Sequence, residues 1–304
     1  VNETIRQVAV AHDPAAKDRF VSLVLAHAND TLRRFPWRDT RDPWAVCVSE
    51  VMSQQTQVAR VVPYFQRFMA AFPTVTACAN APQAAVVTAF SGLGYNRRAV
   101  YLHRTAVVVA TTHDGVFPDA LEGLMALPGV GPYTARALLA FAFERDVAVV
   151  DTNVSRVIAR ALVGVPLNAK DVQAHADSLV PKGQGWLWNQ GMLEFASTIC
   201  TKRAPSCNRC PFVADCVWQS TDTNGPDPAD GSAFVTVSQK PFVGSDRQGR
   251  GRVIAALADG PRAYGELAAI TGWHDTPERV ERMLLGLVRD GLVTRHGDSL
   301  ELTS

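Results

Sequence analysis

The sequence predicts a mainly α-helical protein of more than one domain, and three observations predict it. Apolar residues recur at i, i+3 and i+4 through most of the first 218 residues, the spacing of a single helix face. No stretch before about residue 235 alternates convincingly with period two. After Cys216 the composition shifts to Gln219–Ser232 (QSTDTNGPDPADGS), whose Pro, Gly, Asp and Ser read as a linker. A length of 304 residues suffices for two domains and a small third. Hydrophobic content of 47% with 19% charge describes a globular core and excludes a disordered chain.

Taken in order, residues 1–18 form a loosely specified lead-in and Arg19–Leu32 a first helix. FPWRDTRDPW then breaks the helix with two prolines and clusters Arg38 and Arg41. A long helical region runs from Ala45 to Phe72, interrupted at Pro63. Ala79–Phe90 and Arg97–Thr112 are two further helices, joined by GLGYN. Leu121, Leu124 and Met125 begin another, which ends in Leu127-Pro128-Gly129-Val130-Gly131, and Pro132 suits the first position of the next. Beyond the linker, Arg250–Ala258, Tyr264–Thr271 and Thr276–Asp290 are short helices, followed by two strands around His296-Gly297-Asp298. Helix–helix–helix–hairpin is the winged-helix pattern, one that serves in DNA contact or in packing alone.

No apolar run reaches about 18 residues, so no membrane span is expected. The first twenty residues lack the basic-then-apolar pattern of an export signal, which points to the cytoplasm. Charge is nearly balanced at +1, but residues 1–219 carry 21 Lys and Arg against 17 Asp and Glu, and residues 220–304 carry 9 against 12. The first part is compatible with a polyanion partner, which requires a local patch more than a high global charge.

Three groups of residues carry chemistry. Gly129 and Gly131 allow close backbone approach, and the helix after them offers unpaired N–H groups, a combination that binds phosphate. Twenty residues after Gly131, Asp151 heads a helix with the apolar face Val154, Val157, Ile158 and Leu162. Cys200, Cys207, Cys210 and Cys216 follow the spacing C-x6-C-x2-C-x5-C, with Lys202, Arg203 and Arg209 between them. Four thiolates so close in a non-secreted chain are metal ligands rather than disulfides, and either zinc or an iron–sulfur cluster would accept them. Cys47 and Cys78 lie in apolar helical surroundings and are expected as buried thiols. Glu50, in VSEVMSQQTQV, has apolar neighbours that disfavour an ionised carboxyl and suit a proton donor. Two carboxyl groups of contrasting surroundings match the division of labour in glycoside hydrolysis, where one protonates the leaving group and the other stabilises an oxocarbenium-like sugar.

These blocks, in this order over roughly residues 20 to 218, resemble the helix-hairpin-helix base-excision DNA glycosylases with a Gly/Pro-rich loop and aspartate. Within them, Pro36-Trp37-Arg38, Asp42-Pro43-Trp44, Ser49 through Val58, Pro63-Tyr64-Phe65 and Phe72-Pro73 are similar to the MutY-type adenine glycosylases. The resemblance implies a mainly α, two-lobed fold: a six-helix barrel lobe over 25–143, and an iron–sulfur cluster lobe from 1–24 and 144–218. A linker at 219–248 and a winged-helix-like module at 249–304 would follow. It further implies that Glu50 protonates adenine N7 and helps water attack, while Asp151 stabilises or traps the sugar cation. Tyr133 and Asn153 would orient these acids, Gln55 beside Gln54 would fill the gap left by a flipped-out base, and Trp37 and Arg38 would line the pocket. Flipping itself is a physical requirement, since the glycosidic bond and N7 cannot both be engaged within the stack. Cys200, Cys207, Cys210 and Cys216 would hold a [4Fe–4S] cluster that pins a basic loop to DNA. The implied partner is double-stranded DNA with a mismatched or oxidised base pair, met by a monomer near the nucleoid.

Tyr133 also separates branches of the family, because strand-nicking relatives carry Lys there and a phenol forms no imine. A monofunctional glycosylase that leaves an abasic site is therefore expected. Three departures from the family pattern stand out: Ser53 replaces the usual Leu, Asn96 replaces a second Tyr, and the C-terminal module is too short for the Nudix-like domain that reads 8-oxoguanine. These leave a thymine or uracil mismatch glycosylase as the alternative on the same scaffold, with Gln54-Gln55 favouring adenine. An iron–sulfur DNA-binding redox regulator is the alternative from another class; it requires neither carboxylate pair nor hairpin.

Overall fold

The computed structural model describes residues 14–220, 225–234 and 241–304. In chain order its helices are α1 (Pro14–Thr31), α2 (Pro43–Ser53), α3 (Val58–Ala71), α4 (Val75–Ala79), α5 (Gln83–Phe90), α6 (Arg97–Thr112), α7 (Leu121–Met125), α8 (Pro132–Phe141) and α9 (Thr152–Ile158). They continue as α10 (Ala169–Asp177), α11 (Gly185–Thr198), α12 (Val217–Ser220), α13 (Asp246–Ala258), α14 (Leu267–Thr271) and α15 (Pro277–Arg289). Three short strands, β1 (Arg262–Ala263), β2 (Val293–His296) and β3 (Ser299–Leu302), complete the chain. The described part of the expected lead-in begins at Pro14, where α1 starts with proline at its first position.

The described residues of Val1–Asp39 and Ala135–Val237 form one compact unit. Its core is aromatic: Phe20 meets Phe212 edge-on at 4.9 Å and Trp188 at 6.0 Å, among Val154, Ile158, Leu162 and Phe195. α9 passes directly into a π turn, Ala159–Val163, which Gly164 ends in the left-handed region at φ 81°. Part of the Pro/Gly/Asp/Ser-rich segment packs here. Asp227 pairs with the buried Arg160, and Ser232 Oγ accepts the Leu167 N–H at 3.1 Å.

The described residues of Thr40–Thr134 and Ser238–Ser304 form the second unit. Trp44, Phe68, Phe72 and Phe90 pack together, and Trp44 Nε1 donates to the Phe72 carbonyl at 2.9 Å. In the C-terminal segment Val280, Met283, Leu284 and Leu287 form the buried stripe of α15. The antiparallel sheet has the order β1-β3-β2.

Two helical regions and one strand differ from the sequence reading. The long region from Ala45 to Phe72 breaks at Gln54–Gln57 and not at Pro63, which lies inside α3. Pro63 and Ala59, whose carbonyl loses its helical partner, are both exposed, so that carbonyl stays open to solvent. Ala79–Phe90 is two helices parted before Pro82, a residue that disfavours helical conformation in its predecessor. β1, a two-residue strand, has too little length to show alternation.

Candidate active site

The hairpin lies between α7 and α8. Thr105 Oγ1 donates to the Pro128 carbonyl at 2.6 Å and ties the turn to α6. Gly129 has φ 75°, and a Cβ there would stand 2.6 Å from Tyr101 Cβ, so the fold itself demands glycine. A Cβ on Gly131 would meet nothing within 4 Å. Tyr133 follows in the first turn of α8, half-buried, and Gln54 Nε2 reaches Thr134 Oγ1 beside it at 3.5 Å.

Glu50 occupies the last part of α2, half-buried between Ser49 and Val51, which are buried. Burial and then the Glu50 charge push the Cys47 thiol up to about 12, so Cys47 stays an inert thiol, as does Cys78, raised to about 12 by burial. Past Ser53 the chain turns sharply, and Gln55 is exposed in the left-handed region at φ 54°. Tyr95, in the GLGYN loop, shares that rare conformation at φ 49°.

One buried cation governs both turns. Arg98 is 8% exposed, and its Nη1 donates to the carbonyls of Val51 and Met52 at 2.8 Å and of Gln54 at 2.7 Å. Its Nη2 donates to the Gly94 carbonyl at 2.9 Å and to Leu93 and Thr56 Oγ1 at 3.3 Å. The Gln54 and Gly94 carbonyls immediately precede the two left-handed residues, so their peptide planes are fixed by the same guanidinium. Burial lowers Arg98 to about 10, which leaves it charged at neutral pH beside the carbonyl end of α2, where a cation is favoured. Sequence reading passed over Arg98. The available signal was the Arg97-Arg98 pair at the start of α6, a position that disfavours positive charge unless it is engaged elsewhere.

Asp151 caps α9 as predicted. Its Oδ1 accepts the Asn153 and Val154 backbone N–H groups at 2.8 Å, and its Oδ2 accepts Asn153 Nδ2 at 2.6 Å. Asn153 Oδ1 accepts from Arg156 Nη1 at 3.0 Å. Arg156, 3% exposed, also donates to the Cys200 carbonyl at 2.8 Å and the Ala196 carbonyl at 2.9 Å, and burial lowers its guanidinium below the ordinary value. A continuous chain of hydrogen bonds thus joins the aspartate to the first cysteine of the loop. In the same unit Trp37 stacks on Phe35 at 5.2 Å, and Arg38 bonds Gln190 at 2.7 Å and the buried Glu194 at 3.2 Å.

Cys200, Cys207, Cys210 and Cys216 all line one small cavity, and none is in a disulfide. Among the described residues no group of three or more His, Cys, Asp or Glu lies close enough to hold a single metal ion. Arg160 Nη1 lies 3.7 Å from Cys200 Sγ and supplies a positive charge to the same wall. Burial raises the Cys207 and Cys210 thiols and pushes Cys216 up to about 11. Four soft donors around one cavity are a donor set that a thiolate-held metal centre uses.

A family model for HhH-GPD superfamily base excision DNA repair proteins matches residues 48–182, a span that takes in Glu50, the hairpin and Asp151. The chain is 37% identical over 272 residues to the adenine DNA glycosylase of Mycolicibacterium smegmatis, covering 88% of this chain and 89% of that protein. This chain belongs to the HhH-GPD superfamily. A second relative, the adenine DNA glycosylase of Mycobacterium tuberculosis, is 40% identical over 286 residues, with 90% of each chain covered. Together these place it with the MutY-type HhH-GPD proteins. The structure of a thermostable thymine-DNA glycosylase superposes with a TM-score of 0.63 at 29% identity, covering 68% of this HhH-GPD chain and 97% of the other. The mainly helical HhH-GPD fold with a small C-terminal sheet is therefore the architecture expected from sequence.

Proposed function

We propose that this chain hydrolyses the N-glycosidic bond of adenine opposite 8-oxoguanine or guanine in double-stranded DNA, as a monomeric glycosylase that leaves an abasic site. The observation that carries this reading is Asp151, seated by three N–H bonds at the head of α9, the helix that comes after the helix-hairpin-helix pair α7–α8. An aspartate that accepts on both oxygens is arranged as an anion, the form that stabilises a sugar cation. Glu50 protonates N7 of the flipped-out adenine and then assists water, and Asn153 and Tyr133 orient the acids. Tyr133 offers no amine for an imine, in keeping with a monofunctional reaction. Gly129 and Gly131 bring the hairpin backbone close to a phosphate, and the open space beside Gly131 suits that approach. Gln54 and Gln55 enter the vacated stack. Trp37 borders the pocket with Arg38, which acts through its Glu194 network.

Cys200, Cys207, Cys210 and Cys216 would hold a [4Fe–4S] cluster, which when bound supplies a rigid structural brace for the loop. The lobe limits given by the resemblance, 1–24 with 144–218 around this cluster and 25–143 around the hairpin, belong to the same proposal. So do the linker at 219–248, the winged-helix-like module at 249–304 and a cytoplasmic, nucleoid-associated location. No described helix is long and apolar enough to cross a membrane.

The test is incubation of the purified protein with duplexes carrying A:8-oxoG, A:G, T:G or U:G, followed by alkali. Cleavage of the adenine strand is expected. Cleavage only of the T or U strand would replace this reading with the mismatch glycosylase, and binding without product would favour the regulator.

A further inference from the structure

The C-terminal segment is acidic overall, with 9 Lys and Arg against 12 Asp and Glu over residues 220–304, yet α13 carries Arg247, Arg250 and Arg252. Two of these border an open cavity of about 460 Å³ in the second unit. Its wall joins Arg247, Arg250 and Asp290 of the C-terminal segment to Tyr95, Arg97 and Gly129, and it also includes Gln54, Asn96, Arg98 and Tyr101. Four guanidinium groups face one carboxylate there. Asp290 is bonded to Arg250 at 2.5 Å and lies 3.8 Å from Arg97, so the wall keeps a strong positive excess. Arg247 Nη1 donates to Tyr95 Oη at 2.9 Å, with its guanidinium 5.6 Å from the ring centroid, which fastens α13 to the left-handed turn of the GLGYN loop. Asn96 is 6% exposed and lines the same cavity, and its Nδ2 makes no hydrogen bond. A buried donor without an acceptor is costly, and an oxygen-rich anion at the wall would relieve it.

We infer that this groove takes the sugar-phosphate backbone of duplex DNA beside the flipped-out base, and that Arg247 of the C-terminal segment is one of its phosphate contacts. The inference rests on the proposed function, since it requires a DNA substrate, and it assigns the module a part in gripping that substrate. A cation that contacts phosphate weakens binding uniformly across sequences when removed, and it lowers the salt dependence by about one counterion.

The experiment measures duplex dissociation constants for the full chain from about 50 to 200 mM salt, with A:8-oxoG and fully paired DNA. Arg247→Gln keeps an amide donor for Tyr95 and removes the charge. It is expected to weaken both duplexes by about five- to tenfold and to lower the slope of log K against log salt by about 0.9. Arg247→Lys, which keeps the charge, is expected to restore most of that slope, and a thermal melt of each variant reports folding separately. Unchanged affinity and slope in a folded Arg247→Gln protein, or weakening confined to the 8-oxoguanine duplex, would overturn the inference. Adenine release by the wild-type protein in the same preparation tests the underlying function independently.

Discussion

Asp151, at the head of α9, and Glu50, on α2, are both half-buried, but the protein holds them by different devices. Around Asp151 the carboxylate itself is gripped, by two backbone N–H groups and the Asn153 amide, with Arg156 behind that amide. Around Glu50 it is the following backbone that is gripped, where Arg98 draws the end of α2 and the turns at Gln55 and Tyr95 onto one guanidinium. A buried arginine underlies each arrangement, yet Arg156 acts on the acid's own partner whereas Arg98 shapes the surface next to the acid. The first device suits a group that must face a developing charge at a fixed distance. The second suits a segment that presents side chains to the substrate.

The strongest test of this contrast removes each acid in turn. Asp151→Asn and Glu50→Gln should each slow adenine release at least about a hundredfold in single-turnover assays while duplex binding persists. Full turnover by either variant would break the contrast at its root. Next come the supporting arginines. Arg156→Met and Arg98→Met each strand several buried acceptors and should each lower stability by about 3 kcal/mol in urea titrations. Their functional effects should diverge: Arg156→Met slows release at saturating protein, and Arg98→Met weakens duplex affinity. Identical kinetic signatures would mean that the two devices are not distinct. Arg98→Lys should recover little, because an ammonium has three N–H groups and the carbonyls of Val51, Met52, Gln54, Leu93 and Gly94 all await donors. The smallest effect is expected from Asn153→Ala, which removes one of the three bonds to Asp151 and should cost about 1.5 kcal/mol of unfolding free energy.

Much of this was legible because it is local. The Arg97–Thr112 helix has the bounds its periodicity predicts, and Asp151 caps α9 because a short carboxylate ahead of an apolar stripe is a local signal. The hairpin declared itself through Pro128, Gly129 and Pro132. What escaped reading depends on residues far apart in sequence. The break after Ser53 carries no Gly or Pro. It is stabilised by an arginine more than forty residues later, so apolar spacing alone runs straight through it. Arg156 looks like a solvated helix residue until the Ala196 and Cys200 carbonyls are placed against it. Arg247 lay within the stretch read as linker, where its meeting with Tyr95 had no sequence signature.

The bonds from Arg156 to Ala196 and Cys200 also bear on how the protein is made. During synthesis Asp151 leaves the ribosome well before those two carbonyls exist, so its surroundings are finished late. A chain that ended between Arg156 and Ala196 would hold both acids and the entire hairpin, yet its aspartate would lack the seat behind Asn153.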